Sequence, residues 1–246
     1  MIDILICGIG GKMGSTLSEL LQGSDRARAV CGVDIRIPEN AHIPIYTAFG
    51  EVKEKVDVII DFSSPAVLHD ELEWATANGV PVVLGSTGFN GEQLKFIDEC
   101  AKHIAIFKTA NFSLGVNLLM KLVRETAYVL GDKSDIEIIE KHHRLKADAP
   151  SGTALMLAES ANIENKYLIY GRDSRSGRRK NEIAIHAVRG GTIVGEHEVM
   201  FAGEDEIISL SHSARSKKVF ASGAIKSAIF LIGKPAGKYD MRDIIQ

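Results

Sequence analysis

From residue 1 to about residue 107, short apolar runs alternate with stretches patterned for helix, a rhythm that few folds accommodate. The runs are 2–7, 29–33, 56–60, 80–84 and 104–107, and the helical patterns between them are 13–21, 66–78 and 92–103. The runs are apolar throughout rather than alternating, as strands buried on both faces must be. Strand, helix, strand at this spacing gives βαβ units and a parallel sheet.

The first run leads directly into Gly8-Ile9-Gly10-Gly11-Lys12-Met13-Gly14, which opens a helix pattern. In this context Gly8 permits a tight turn. Gly10 or Gly11 lets backbone amides approach a pyrophosphate, and Gly14 allows helix and strand to pack closely. A helix start favours an anion through its unpaired amides and its dipole. The motif calls for an acid about 20 residues on. Asp34 lies 20 residues after Gly14 (34 − 14), at the end of the second run. Its carboxylate suits the ribose hydroxyls of an adenosine, whereas Arg36 suits a 2′-phosphate, so both NADH and NADPH stay open. Asp61-Phe62-Ser63-Ser64-Pro65 and Gly85-Ser86-Thr87-Gly88-Phe89 follow two later runs. They fall at carboxyl ends of predicted strands, where ligands bind in open α/β sheets.

After Asn111 the rhythm changes. A helix is expected over 114–130, a strand over 135–141, a helix after Ser151, then strands over 182–188, 192–201 and 206–212. The last strands read as antiparallel, some with a polar face. A final helix pattern over 216–232 is apolar enough to pack on something large. The fold class is therefore α/β, a Rossmann-type parallel sheet plus an α+β domain with a mixed or antiparallel sheet.

Residues 137–154 read E-I-I-E-K-H-H-R-L-K-A-D-A-P-S-G-T-A. A strand ends in His142-His143, a loop carries Arg144, Lys146 and Asp148, and Ser151-Gly152-Thr153 open a helix. A cation cluster facing a helix start suits a carboxylate or phosphate ligand. His142 and Lys146 are candidate proton donors. Adjacent histidines in a strand point to opposite faces, and Ser151 is an ordinary N-cap residue. His142, His143 and Asp148 match no metal-ligand spacing, so no metal is expected.

Composition narrows the partners. A length of 246 residues corresponds to between one and two domains. The 45% hydrophobic and 25% charged residues exclude a disordered, collagen-like or coiled-coil chain. A net charge of −3 gives no global basic field, so no nucleic-acid partner is expected. The basic run Arg172, Arg175, Arg178, Arg179, Lys180 lacks interleaved aromatics and reads as a solvated loop. Cys7, Cys31 and Cys100 fit neither a disulfide framework nor a metal site, which points to a reducing cytoplasm. No run approaches ~18 apolar residues, so no membrane span is expected. With Asp3 and no basic segment, the N-terminus does not read as a signal peptide.

The 137–154 stretch resembles the signature of the 4-hydroxy-tetrahydrodipicolinate reductase (dihydrodipicolinate reductase) family of bacterial lysine biosynthesis. G-I-G-G-K-M-G resembles that family's glycine loop, D-F-S-S-P and G-S-T-G-F its nicotinamide-side loops, and A-N-F-S (110–113) its inter-domain hinge. R-G-G-T-I-V-G-E-H (189–197) and F-A-S-G-A-I-K-S-A resemble its later blocks, so the likeness spans nearly the whole chain. It implies an NAD(P)H-dependent oxidoreductase whose nucleotide domain, 1–113 and 216–246, is split by a substrate-binding and oligomerisation domain, 114–215. It also implies a homotetramer and a cyclic pyridine-type dicarboxylate substrate. His143, Lys146, Ser151, Gly152 and Thr153 would hold a substrate carboxylate, and His142 and Lys146 would be the catalytic pair. The cofactor would meet Gly8, Gly10, Gly11, Lys12, Met13, Gly14, Asp34, Arg36, Phe62, Gly85, Thr87, Asn111 and Phe112. Hydride would pass from the nicotinamide C4 to the substrate ring C4, and protonation at a neighbouring carbon would complete the reduction. Lys12 stands where many members carry Arg, and a Lys meets phosphate as a point charge rather than a fork. Other readings of the residues are a different Rossmann-type dehydrogenase of a small amino or keto acid, or a non-catalytic NAD(P)-sensing module.

Overall fold

A computed structural model describes residues 1–37, 41–174, 176–177 and 179–245. The chain forms two compact units, Met1–Ser113 with Lys218–Gln246, and Leu114–Lys217.

The first unit contains β1 (Ile2–Cys7), α1 (Lys12–Gln22), β2 (Ala27–Val33), β3 (Ile45–Tyr46), β4 (Val58–Asp61), α2 (Leu68–Asn78), β5 (Val82–Leu84), α3 (Gly91–Cys100) and β6 (Ala105–Lys108). Its strands join in one sheet with order β12-β6-β5-β4-β1-β2-β3, where β12 is Gly237–Tyr239. Every pairing in it is parallel. Ile4, Leu5, Ile6, Val58, Ile59 and Ile60 are wholly buried, which accounts for the uninterrupted apolar runs of β1 and β4. Gly79 closes α2 in the left-handed conformation, φ 64°. Asn90 and Gln93 form a reciprocal capping box that starts α3. The predicted strands and helices hold, with ends moved by a few residues. Beyond them, β3 and β12 carry no readable period, because they are only two or three residues long.

The second unit contains α4 (Leu114–Leu130), β7 (Asp135–His142), α5 (Gly152–Ala161), β8 (Tyr167–Tyr170), β9 (Glu182–Arg189), β10 (Gly195–Ala202) and β11 (Ile207–Ala214). The sheet order is β11-β10-β7-β9-β8. Leu119, Val123 and Ala127, spaced one turn apart on α4, pack with Leu157 of α5 over Ile136, Ile138, Ile183, Ile185, Val199 and Phe201. β10 pairs antiparallel with β7 and β11, but β9 runs parallel to both β7 and β8, so the sheet is mixed. The expected strand over 192–201 starts only at Gly195. A turn at Gly191, φ 49°, occupies the preceding residues.

The last helix, α6 (Lys218–Leu231), belongs to the first unit and lies against α1 and β4–β6. Its buried face is small along most of its length, with Ala221, Gly223, Ala224, Ser227 and Ala228, and ends in Leu231. A Cβ at Gly223 would sit 1.8 Å from the Phe112 carbonyl oxygen, so only glycine lets the helix come this close. No helix among the described residues is long and apolar enough to cross a membrane.

Candidate active site

In the first unit, the β1–α1 turn is assembled by glycine contacts. A Cβ on Gly14 would lie 2.3 Å from the Gly8 carbonyl oxygen, and one on Gly8 (φ 80°) would lie 2.7 Å from that of Phe62. A Cβ on Gly10 would meet the Arg36 carbonyl oxygen at 2.6 Å. The glycine loop is therefore clamped between the 61–65 loop and the segment after β2. Asp34 closes the clamp: its carboxylate accepts from the Gly10 amide at 2.8 Å and from the Arg36 amide at 2.8 Å. Helix α1 starts at Lys12 with Gly11 as cap and no side-chain cap bond, and Met13 lies in its first turn.

Neighbouring loops stack on the same end of this sheet. Gly85 leaves room for the Phe62 ring, which a Cβ would meet at 2.6 Å. That ring lies 5.4 Å from the Phe112 ring. The Asn111 side chain accepts from the Ser113 amide at 2.8 Å, which shapes the 110–113 segment. Thr87 is exposed. Asp61 accepts from the Ser63 amide at 2.8 Å and from the Ser63 hydroxyl, which bends the loop holding Phe62. Beneath it lies a group that composition gave no hint of. The Cys7 thiol and the Asp61 and Glu71 carboxyls are all buried, with one atom of each within 4.8 Å of the others. Neither Glu71 oxygen has a hydrogen-bond partner. Burial, then the neighbouring Asp61 charge, pushes the Glu71 carboxyl well above the usual carboxylate range.

The second unit gathers the 137–154 motif at the end of β7. Glu140 is fully buried. One of its oxygens accepts from the Ser151 amide at 2.9 Å and from Arg189 Nη2 at 2.8 Å. The other accepts from Arg189 Nη1 at 2.7 Å and lies 2.6 Å from His142 Nδ1. Burial acts to raise this carboxyl, but the bonds from Arg189, His142 and Ser151 outweigh it and hold the group below its ordinary range. Arg189 also donates to the Asp148 carbonyl at 2.6 Å, tying the loop to β9.

Ser151 is 2% exposed and turns inward. Its hydroxyl caps α5 by accepting from the Ala154 amide at 3.2 Å and lies 3.1 Å from His197 Nε2. The His197 ring stands edge-on to that of His142, with centroids 5.2 Å apart. Burial, followed by the His142 charge, lowers His197 from 6.5 to about 4. His197 is therefore a neutral imidazole at neutral pH. Lys146 contributes to the same lowering, which places its charge within electrostatic reach of this pair. Its ammonium is paired with Asp148 at 2.8 Å. His143 is half-buried, and its carbonyl accepts from the Lys146 amide at 3.1 Å in the turn between them. Gly152 has open space where a Cβ would be, and Thr153 follows in the first turn of α5. His142 and Asp148 engage different partners, Glu140 and Lys146.

Three residues here escape a reading of the sequence: Glu140, Arg189 and His197. Glu140 and His142 are two apart on β7 and therefore share a face, which is the available signal. Arg189 and His197 come from β9 and β10, and no local spacing announces them. The basic run is also corrected. Arg172 pairs with Glu137 and Glu182, and Arg179 pairs with Asp135 and Glu137 and donates to the Ile136 and Glu182 carbonyls. These guanidiniums are bound into the sheet rather than solvated, because Glu137 and Glu182 wait there as partners. Arg175 and Arg178 lie outside the described residues.

Comparison with known proteins identifies the family of both units. Residues 2–112 match the family described as dihydrodipicolinate reductase, N-terminus, and residues 115–245 match dihydrodipicolinate reductase, C-terminus. The 4-hydroxy-tetrahydrodipicolinate reductase of Caldanaerobacter subterraneus subsp. tengcongensis is 48% identical over 250 aligned positions, covering 100% of this chain and 99% of the relative. That of Clostridium tetani is 43% identical, covering 98% and 96%. Among solved structures, a dipicolinate-bound dihydrodipicolinate reductase from Paenisporosarcina sp. TG-14 superposes with a TM-score of 0.84 at 26% identity, each chain covered in full. On its motifs, its architecture and its relatives, this chain belongs to the dihydrodipicolinate reductase family.

Proposed function

We propose that the chain catalyses the NAD(P)H-dependent reduction of 4-hydroxy-tetrahydrodipicolinate, by way of dihydrodipicolinate, to tetrahydrodipicolinate in the diaminopimelate route of lysine biosynthesis. The observation that carries this reading is the cluster at the end of β7, where His142, Lys146 and the start of α5 converge on a loop suited to a dicarboxylate.

The first unit fits a reduced dinucleotide. Its uncapped helix start at Lys12, beside Asp34 on the Gly10 amide, has the donors and the acceptor that a pyrophosphate and a ribose need. Gly8, Gly10, Gly11, Lys12, Met13, Gly14, Asp34 and Arg36 would hold the adenosine side. Phe62, Gly85, Thr87, Asn111 and Phe112 would hold the nicotinamide side. Bound there, NADH or NADPH supplies the hydride. Arg36 is exposed two residues beyond Asp34, so groups for both forms of the ribose are at hand.

In the second unit, His143, Lys146, Ser151, Gly152 and Thr153 hold a substrate carboxylate, and the Ser151 hydroxyl also keeps the helix start in place through its cap. As hydride adds to the ring, negative charge grows on its conjugated nitrogen side, and the Lys146 ammonium stabilises it. A proton from His142 or Lys146 at the neighbouring carbon completes the two-electron reduction. The neutral His197 backs the site without adding a competing charge. We further propose a cytoplasmic homotetramer. The free, buried cysteines support a reducing compartment. Tyr167, Tyr170, Val188 and Ile207, exposed on the second sheet, support association through that unit.

The test is oxidation of NADH and NADPH, followed by absorbance, with substrate generated in situ by the preceding synthase. Substrate-dependent oxidation is expected with at least one cofactor. Its absence with both overturns the proposal.

A further inference from the structure

We infer that Glu140 is the positioning residue of this site: held ionised by Arg189, it keeps the proton of His142 on Nδ1 and confines proton exchange to Nε2. The inference rests on the proposed catalytic role of His142. It follows from counting hydrogen bonds. A carboxylate has about four acceptor sites, and Glu140 uses four: the Ser151 amide, two Arg189 nitrogens and His142 Nδ1. The amide and both guanidinium nitrogens can only donate. Two parallel Arg bonds to a fully buried carboxyl favour its charged form, because a charge-assisted pair is stronger than a neutral one and a proton on the carboxyl would displace one of those donors. An ionised carboxylate is acceptor-only, so the 2.6 Å contact with His142 needs its proton on Nδ1. The other ring nitrogen then does the exchanging. Its side of the ring faces Gly195, where a Cβ would stand 3.1 Å from Nε2, and the missing side chain keeps that edge clear. The same carboxylate accepts from the Ser151 amide at the start of α5, so one buried charge sets both the imidazole and the helix end.

The experiment uses the full chain labelled with ¹⁵N-histidine and reads the imidazole tautomers by long-range ¹⁵N–¹H correlation. The pH is set above the imidazole range, and His142 is assigned from His142→Gln. The wild type should show His142 protonated on Nδ1 and bare on Nε2. The opposite tautomer in the wild type overturns the inference and needs no variant. In Glu140→Gln one oxygen becomes an NH₂ that cannot accept. An Nε2-protonated population should then appear, and kcat should fall roughly 10-fold or more while KM for the reduced dinucleotide holds. Glu140→Asp should retain the wild-type tautomer. An unchanged tautomer and kcat in Glu140→Gln overturn the inference. Wild-type turnover in His142→Gln instead overturns the catalytic reading of His142, and with it the catalytic consequence drawn for Glu140.

Discussion

The two ligand-type loops of this chain are built from opposite materials. The loop after β1 is an arrangement of backbone, with Gly8, Gly10 and Gly14 chosen because carbonyl oxygens of Phe62, Arg36 and Gly8 occupy the space a Cβ would take. The site at the end of β7 is an arrangement of side-chain charge, with the buried Glu140 paired to a partly buried Arg189 and His142, Ser151 and His197 linked to them. The backbone device depends on close approach, with Asp34 as its one charged clasp. A charge device is assembled from three strands, and every partner removed leaves an uncompensated group.

That contrast can be broken at its strongest point first. Arg189→Met strands the buried Glu140 carboxylate, and about 3–5 kcal/mol of stability should be lost. Chemical denaturation checks it, and a loss under about 1 kcal/mol means that Glu140 simply takes up a proton. Next comes acid sensitivity. His197 has a folded value of about 4, below the 6.5 of the unfolded chain. The unfolded chain therefore binds the extra proton between those values, and stability present above pH 6.5 falls as pH drops toward 4. The loss should reach about 3 kcal/mol at most. His197→Gln should flatten that limb in a stability–pH series, whereas an unchanged limb assigns it elsewhere.

Turnover sharpens the comparison further. Lys146→Ala should cut kcat by ~10²-fold, as expected for a lost acid or electrostatic group. Wild-type rates would remove Lys146 from the chemistry. In the first unit, Asp34→Ala should weaken NADH by roughly 10-fold and NADPH less. Equal losses, measured by fluorescence titration, would show that the carboxylate serves only the Gly10 and Arg36 amides. The smallest effect has the opposite sign. Glu71→Gln replaces a buried carboxyl without hydrogen-bond partners by a neutral isostere, and thermal melting above neutral pH should rise by about 1 kcal/mol equivalent. A lower melting temperature would mean that the Glu71 charge is wanted.

Much of the architecture is legible in the sequence. The glycine loop, its acid at Asp34, the parallel strands and the 137–154 motif are contiguous in sequence, and each follows a local rule of turn chemistry or periodicity. Glu140 is visible as a neighbour of His142 on one strand face, but its importance is not, because Arg189 is 49 residues away. Arg172 and Arg179 mislead for the same reason: a run of cations looks solvated until Glu137 and Glu182 are brought alongside. The short strands β3, β8 and β12 exist through pairing with longer neighbours rather than through their own pattern.

The sequence by itself determined the kind of protein: a nucleotide-type parallel sheet, a second α+β unit and a polar loop at a helix start, since these depend on spacing within a few turns of chain. Only the tertiary structure decided which groups carry charge inside. Neutral His197, ionised Glu140 and the partnerless carboxyl of Glu71 are set by desolvation and by partners distant along the chain. Those are properties of a folded interior, where removing water changes the energy of every charge.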